Sequence, residues 1–478
     1  MKYLPIDKKL FVQNRKQFVR HLKSKSLAVF NSNDIMPTSA DGRHPFVQHT
    51  DMFYMSGIDQ EESILLICPD AEESRHKEIL FLRETSEKIA TWEGHKLKGK
   101  EAADISGVRT VCWISEFDRI FRELAFESEY LYLNTNEHSR GGGTVETRDA
   151  RFLKWCMAEF PLHKYERLAP VMHYLRAVKS STEIELIQCA CDISEKAFRR
   201  VLNFVRPGVW EYEIEAEICH EFLRNRSRGP AYETIVASGM NSCVLHYASN
   251  HQQCRDGDIL LMDFGAEYAN YASDVTRTIP INGRFTLRQK DAYNAVLRVQ
   301  KAAIEMLRPG NTFKEYNREV GKIMEGELIR LGLLDADKVR KQNKRKPLYK
   351  KYFMHGTSHH LGLDVHDYGS GNRKFETGMV FTCEPGIYIK NEHIDRCLAA
   401  FAPAQQCTGF CEFSGNEVSG PSEQQFHLLL ASAEQGGISY SLLKRVYEIF
   451  HRSLLLCRVQ TSGVPYHVSI SAVRMPLL

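Results

Sequence analysis

Residues 257–281 read GDILLMDFGAEYANYASDVTRTIPI. Two apolar runs flank a short polar centre, the pattern of two strands folding back on one another. With the turn centred on Tyr268 and Ala269, Asp263 and Asp274 are expected to stand directly opposite each other. Opposed residues share a face, with Cβ atoms roughly 5 Å apart. Two like charges that close repel unless a proton or a cation lies between them. A divalent metal held by both carboxylates resolves the conflict. In the bland alternative Asp274 caps a turn and Asp263 is simply exposed. Yet the LLM run just before Asp263 is core-like, and a buried carboxylate needs a partner.

Further donors follow along the chain. MHGTSHHLGLDVHD (354–367) holds His355, His359, His360 and His366 beside Gly356 and Gly362. Imidazole suits Zn, Mn, Fe or Co, and glycine lets backbone approach a crowded site. A lone histidine is more often a core residue than a ligand, but four so close are harder to assign to packing. No H-E-x-x-H is present, so the helical zinc-protease arrangement is not supported. FTCEPGIYI (381–389) places Glu384 at the end of a β-like run before a Pro-Gly turn, where a carboxylate can face a cleft. In SGMNSCVLHYASN (238–250), His246 follows an apolar run, and structural and catalytic roles are equally open to it.

Around this core the chain of 478 residues is long enough for two or three domains. From Leu10 to about Tyr165, the β-rich runs SLAVF, SILLIC, EILFL and LYL alternate with helix-like stretches, the mark of an α/β domain. Pro170 marks a junction, and Thr182 with Glu185 makes a capping box for a helix whose stripe is Ile184, Ile187, Cys191, Ser194 and Phe198. That helical run ends at RPG (206–208). A second RPG (308–310) also joins two helical runs, so a helix–loop–helix unit is used twice and two similar halves are expected, with a site between them. The basic run KVRKQNKRKPLYKK (338–351) reads as a solvated loop. With 63 basic and 60 acidic residues, nothing global points to nucleic acid or an anionic membrane. The amino-terminal segment lacks an apolar signal core and no window reaches the ~18 apolar residues of a membrane span. Thirteen scattered cysteines fit reduced thiols, so a cytoplasmic protein is expected.

The contexts D-F-G-A-E-Y, S-D-V-T-R-T, H-G-T-S-H-H-L-G and E-P-G-I-Y resemble those of the dinuclear metallopeptidases with the pita-bread fold, and within them the aminopeptidase P (Xaa-Pro aminopeptidase) family. The resemblance runs from QHTDMFYMSGIDQEESILLI to about Ile394. It implies an α+β protein: an α/β, creatinase-like amino-terminal domain over 1–170, then a pita-bread domain with pseudo-twofold halves over 175–394. Asp263 would bind one Mn²⁺, Asp274 would bridge two, and His359 with Glu384 would hold the other. His246, His355 and His366 match histidines that contact substrate or support the ligands, and Glu384 would also pass on a proton. The implied substrates are peptides with proline second, and the implied assembly is a dimer or tetramer. Prolidase shares the ligand set and is the alternative enzyme. Methionine aminopeptidase would not need the long first domain, and a metal-free binding or scaffold protein is the non-enzyme alternative.

The family pattern breaks after NEHI. A strand of the type G-I-R-I-E-D, carrying a second bridging glutamate, is expected there, but the chain reads DRCLAAFAPAQQCTGFCEF. From Asp395 to Leu478 there are one lysine, one aspartate and ten serines in 84 residues, so 395–478 forms an atypical tail. Glu412 and Glu417 are the nearest substitutes, neither with an arginine two residues before it. Without that carboxylate, the metal position near Asp263 is expected to be weak or empty, activity impaired, and a sheet edge left uncovered.

Overall fold

Ser26–Asn31 is buried along its whole length, as a strand flanked on both sides must be. In the computed structural model, which describes residues 2–138, 141, 143, 145–369 and 373–390, it is β1 of a six-stranded mixed sheet. The others are β2 (Ile64–Ile67), β3 (Glu78–Leu82), β4 (Thr110–Trp113), β5 (Tyr130–Leu133) and β6 (Lys164–Arg167), in the order β4-β3-β2-β1-β5-β6. β1 runs antiparallel to β2 and parallel to β5. Leu27, Val29, Ile79 and Phe81 pack with Phe121 and Leu124 of the helix Phe117–Glu127 and with Cys156 of the helix Arg148–Glu159. β4 and β6, short and half-exposed, are the two strands that the sequence pattern does not announce.

The chain divides into two compact units after Ala177, at the end of the helix that Ala169 and Pro170 begin. The second unit opens with the helix Ser181–Phe204. Its capping box is Ser180 with Glu183, two residues earlier than Thr182 with Glu185. Of the expected stripe, Ile187, Cys191, Ser194 and Phe198 are buried, while Ile184 is only half-buried.

The doubled helix–RPG–helix unit is present in three dimensions. Ser181–Phe204 and Glu211–Arg224 flank the first RPG, Leu287–Met306 and Phe313–Arg330 the second. Gly208 and Gly310 adopt φ of 94° and 95°, a conformation open to glycine. The Gly208 amide donates to the Cys254 carbonyl at 2.8 Å, and the Gly310 amide to Phe375 at 3.0 Å. Bridges Trp210–Gln253 and Thr312–Lys374 follow each glycine. One local design is thus used in both halves.

The first half carries a three-stranded antiparallel sheet, β11-β8-β7, from β7 (Ile235–Ser238), β8 (Ile259–Phe264) and β11 (Val275–Pro280). β9 (Glu267–Tyr268) and β10 (Tyr271–Ala272) extend β8 and β11 to their turn. The run 338–351 is largely exposed, with the short helix Ala336–Lys341 at its start. The tail from 395 onward, with Glu412 and Glu417, lies outside the described residues.

Candidate metal centre

The ribbon's turn is one residue later than the sequence symmetry predicts. Tyr271 pairs with Tyr268, and Ala269 and Asn270 both have positive φ, 52° and 66°, as a two-residue type I′ hairpin loop requires. Asp263 therefore faces Thr276, not Asp274. Shifting the turn by one residue shifts partners by two, so the two aspartates remain on one face as diagonal neighbours. The half-buried Tyr232, just before β7, ties them together: its hydroxyl donates to Asp263 Oδ1 and, at 3.0 Å, to Asp274 Oδ1. Nothing in sequence periodicity singles out Tyr232, because its role depends on a contact across the sheet.

The second pair of residues sits on a comparable ribbon in the other half. The amides of Leu361, Thr382 and Glu384 donate to the carbonyls of Val380, His359 and Thr357 at 3.1, 3.0 and 2.8 Å. The β-like run predicted at 381–389 is reduced to an extended segment with a bridge at Phe381. In it, His359 and Glu384 are again diagonal neighbours. Buried Cys383 and Ile387 fix the segment in an apolar cluster with Tyr316, Val320 and Met324.

The two ribbons bring their polar side chains together. His359 Nε2 lies 3.2 Å from Asp274 Oδ2 and 3.1 Å from Glu384 Oε1. Thr382 Oγ1 donates to Glu384 Oε1 at 2.9 Å. His359 Nδ1 is 2.9 Å from the His360 carbonyl, which can only accept, so Nδ1 carries a proton. In a neutral ring, Nε2 is then a lone pair facing two oxygens, an arrangement that needs a positive charge between or on them. Burial pushes the His359 pKa down, but Glu384 and Asp274 outweigh it and hold the ring well above its ordinary value. Burial and the neighbouring Asp274 raise Asp263 well above the usual carboxylate range, against the Tyr232 hydrogen bond.

Among the described residues no three His, Cys, Asp or Glu side chains stand as a ready coordination shell. The direct contacts weigh more. Separations of 3.1–3.2 Å are close to those between neighbouring ligands on an octahedral ion with bonds of about 2.1 Å. An imidazole that gives its other nitrogen to a backbone carbonyl is also the usual state of a metal-bound histidine. The imidazole of His359 in contact with the Asp274 and Glu384 carboxylates, with Asp263 tied to Asp274 through Tyr232, is a donor set of the kind a hard or borderline divalent cation takes.

The other singled-out histidines differ in placement. The His366 ring packs against His359, centroids 4.3 Å apart. His355 lies four residues before His359: Nδ1 contacts the Gly356 carbonyl at 2.7 Å and Nε2 the Tyr388 hydroxyl at 3.1 Å. Burial lowers the His355 pKa despite Glu384, which favours the neutral ring. His360 turns away into the apolar packing of Phe313 and Phe381. His246 is exposed on a turn after Gly239–Cys243, without a hydrogen bond to this cluster among the described residues. Its loop is fixed from beneath by the buried Glu211 carboxylate, which accepts from the Ser238 amide, the Tyr247 hydroxyl and the Gln252 amide at 2.7–2.8 Å. Tyr388 lies within the quoted E-P-G-I-Y, where its position next to the turn was the available signal.

Comparison with known proteins gives a consistent result. The family model of Metallopeptidase family M24 matches residues 185–415, and that of Aminopeptidase P, N-terminal domain, matches 11–132. The first match runs past Ile394 and takes in Glu412. The chain is 35% identical over 404 residues to the Xaa-Pro aminopeptidase of Escherichia coli (strain K12), covering 80% of this chain and 88% of that one. It is 33% identical over 358 residues to the Xaa-Pro dipeptidase of Mus musculus, covering 69% of each. Among solved structures, aminopeptidase PepP of Pseudomonas aeruginosa superposes with a TM-score of 0.76 at 29% identity, covering 86% of this chain and 92% of that one.

Proposed function

The chain belongs to metallopeptidase family M24, with the α+β pita-bread fold, and from that membership we propose that it releases the amino-terminal residue of peptides whose second residue is proline. As a metallopeptidase it is a hydrolase that uses divalent metal; Mn²⁺ is the ion we assign. The observation that carries the assignment of the site is the His359 ring, its Nδ1 committed to the His360 carbonyl and its Nε2 turned toward Asp274 and Glu384.

Asp263, Asp274, His359 and Glu384 would hold the metal. Bound divalent ions lower the pKa of water toward ~7 and polarise a carbonyl, which supplies nucleophile and electrophile at neutral pH. Tyr232 keeps the two aspartates oriented so that both can offer oxygen to one region. Glu384, with one oxygen fixed by Thr382, would accept the proton of the attacking water and deliver it to the departing proline nitrogen. His366 lies beside the imidazole and would donate to the developing oxyanion, while neutral His355, its Nδ1 on the Gly356 carbonyl, would orient the Tyr388 hydroxyl beside the site. His246, exposed on a loop anchored by Glu211, would contact the substrate. Proline offers no amide hydrogen and a fixed φ, so a site that attacks its imide bond has to work through such side chains instead.

Prolidase is the competing enzyme. The longer coverage of the Escherichia coli aminopeptidase favours the tripeptide activity. Among the described residues no helix is long and apolar enough to cross a membrane, and all nine described cysteines are free thiols. We assign the protein to the cytoplasm, where such thiols persist, as a homodimer or tetramer, the assembly the family resemblance implies. The test is hydrolysis of an Xaa-Pro-Xaa tripeptide and an Xaa-Pro dipeptide by the purified chain, with and without Mn²⁺. Metal-dependent release of the first residue from the tripeptide is expected. Cleavage of the dipeptide alone, or none of either in saturating Mn²⁺, overturns the proposal.

A further inference from the structure

Lys179 and Asp367 form an ion pair deep in the second unit, Nζ to Oδ2 3.0 Å, with side chains 1% and 2% exposed. Among the described residues Nζ lacks an aligned hydrogen bond, so the contact is ionic. Burying two charges carries a desolvation cost, and an apolar pair of similar volume often serves stability as well or better. The surroundings of this pair give it another role.

Its first connection is to His359. The Asp367 amide donates to the His360 carbonyl at 2.9 Å, the same carbonyl that receives His359 Nδ1. The second is to the aspartate ribbon. Gly362 lies directly over the pair: a Cβ there would come within 2.0 Å of Asp367 Oδ2 and 3.0 Å of Lys179 Cε. The Gly362 carbonyl accepts from the Ala272 amide at 2.8 Å, just before Asp274 in the chain. Lys179 is itself fixed, its amide donating to the Gly378 carbonyl at 2.8 Å ahead of the helix Ser181–Phe204.

We propose that the Lys179–Asp367 ion pair is a positioning device for the metal centre: it holds the carbonyl that sets the His359 tautomer and seats Gly362 against the Asp274 ribbon, fixing the spacing of ligands contributed by the two halves. This rests on His359 being a metal ligand. Neither residue touches substrate or metal; both act through His359 and Asp274. Partners that orient a ligating histidine typically account for about tenfold to a hundredfold in metal affinity.

The test uses the full chain, freed of metal and titrated with Mn²⁺. Lys179→Met and Asp367→Asn are each expected to weaken binding about tenfold or more. The double variant Lys179→Met/Asp367→Leu removes both charges of the pair together and is the route least damaging to the fold. It is expected to keep the far-UV circular dichroism of the parent while losing affinity to the same extent, and to shift the visible absorption of bound Co²⁺. A purely structural pair would lower the melting temperature and leave affinity and spectrum unchanged. His359→Ala separates the two readings. If it loses binding while the folded double variant binds within about twofold of the parent, the positioning role is wrong and the ligand assignment stands. If His359→Ala binds like the parent, the ligand assignment falls and the positioning role with it.

Discussion

The hydroxyl of Tyr232 is shared between two carboxylates that stand as diagonal neighbours on one face of the ribbon. An aspartate in an unfolded chain titrates near about 3.9, while burial and Asp274 hold Asp263 well above that. The folded metal-free state therefore binds a proton that the unfolded state has released. Its stability falls as pH rises from the ordinary carboxylate range through the raised value. Cation binding at the proposed site is expected to displace that proton and so to strengthen over the same interval. Tyr232→Phe removes a hydrogen bond that favours the carboxylate, so Asp263 rises further. Mn²⁺ affinity near neutral pH is expected to drop about tenfold, roughly one pKa unit, and to recover as pH is raised. Titrations at several pH values check this, and an affinity that matches the parent at every pH removes Tyr232 from the site. The four proposed ligands were legible because their residue types and contexts stand in the sequence. Tyr232 was not, since a tyrosine before a strand looks the same whether its hydroxyl meets water or two aspartates 31 and 42 positions later.

At the scale of elements, the ribbon shows how a turn decides a site. Symmetry of the sequence placed the turn on Tyr268–Ala269, but Asn270 tolerates a left-handed conformation and Tyr268 does not, so the turn settles on Ala269–Asn270. The face was predicted correctly because a two-residue change of partner keeps the parity; the direct opposition was not. The capping box moved for a similar reason. Both S-x-x-E and T-x-x-E patterns are present, and Glu183 is chosen because it also receives the Tyr271 hydroxyl at 3.2 Å, a partner supplied from β10. Two substitutions test the ribbon. Ala269 at φ 52° carries a side chain where glycine is easier, so Ala269→Gly is expected to stabilise the protein by about 0.5 kcal/mol. Gly265 is the opposite case: a Cβ would lie 1.8 Å from the Ser273 carbonyl oxygen. Gly265→Ala must separate the strands beside Asp274 and is expected to cost about 3 kcal/mol and most of the metal affinity. Denaturant midpoints and Mn²⁺ titration measure both; a Gly265→Ala variant with unchanged midpoint would show that the ribbon is looser than its hydrogen bonds imply.

For the whole molecule, the sequence already separates an α/β region from the helix–RPG–helix halves, because alternation of strands with helices and a repeated breaker are local signals. Pairing between distant segments was not visible: β1 joins β5 across some hundred residues, and the bridge from Gly310 to Phe375 joins the ends of a long excursion. Each of the two units holds its own core, and all the proposed ligands fall in the second. Metal binding is then a linkage effect on that unit alone. A ligand at a hundred times its dissociation constant adds about 2.7 kcal/mol to the form that binds it. For a unit of this size that corresponds to a rise of about 5–10 °C in its melting temperature. Calorimetry of the metal-free chain is expected to show two transitions, assignable by the Gly265→Ala variant, which lowers only the second unit's. Mn²⁺ should move that transition upward and leave the other in place, and chelator should reverse the shift. If both transitions move together, the two units unfold as one cooperative block; if neither moves, the four side chains do not hold the ion.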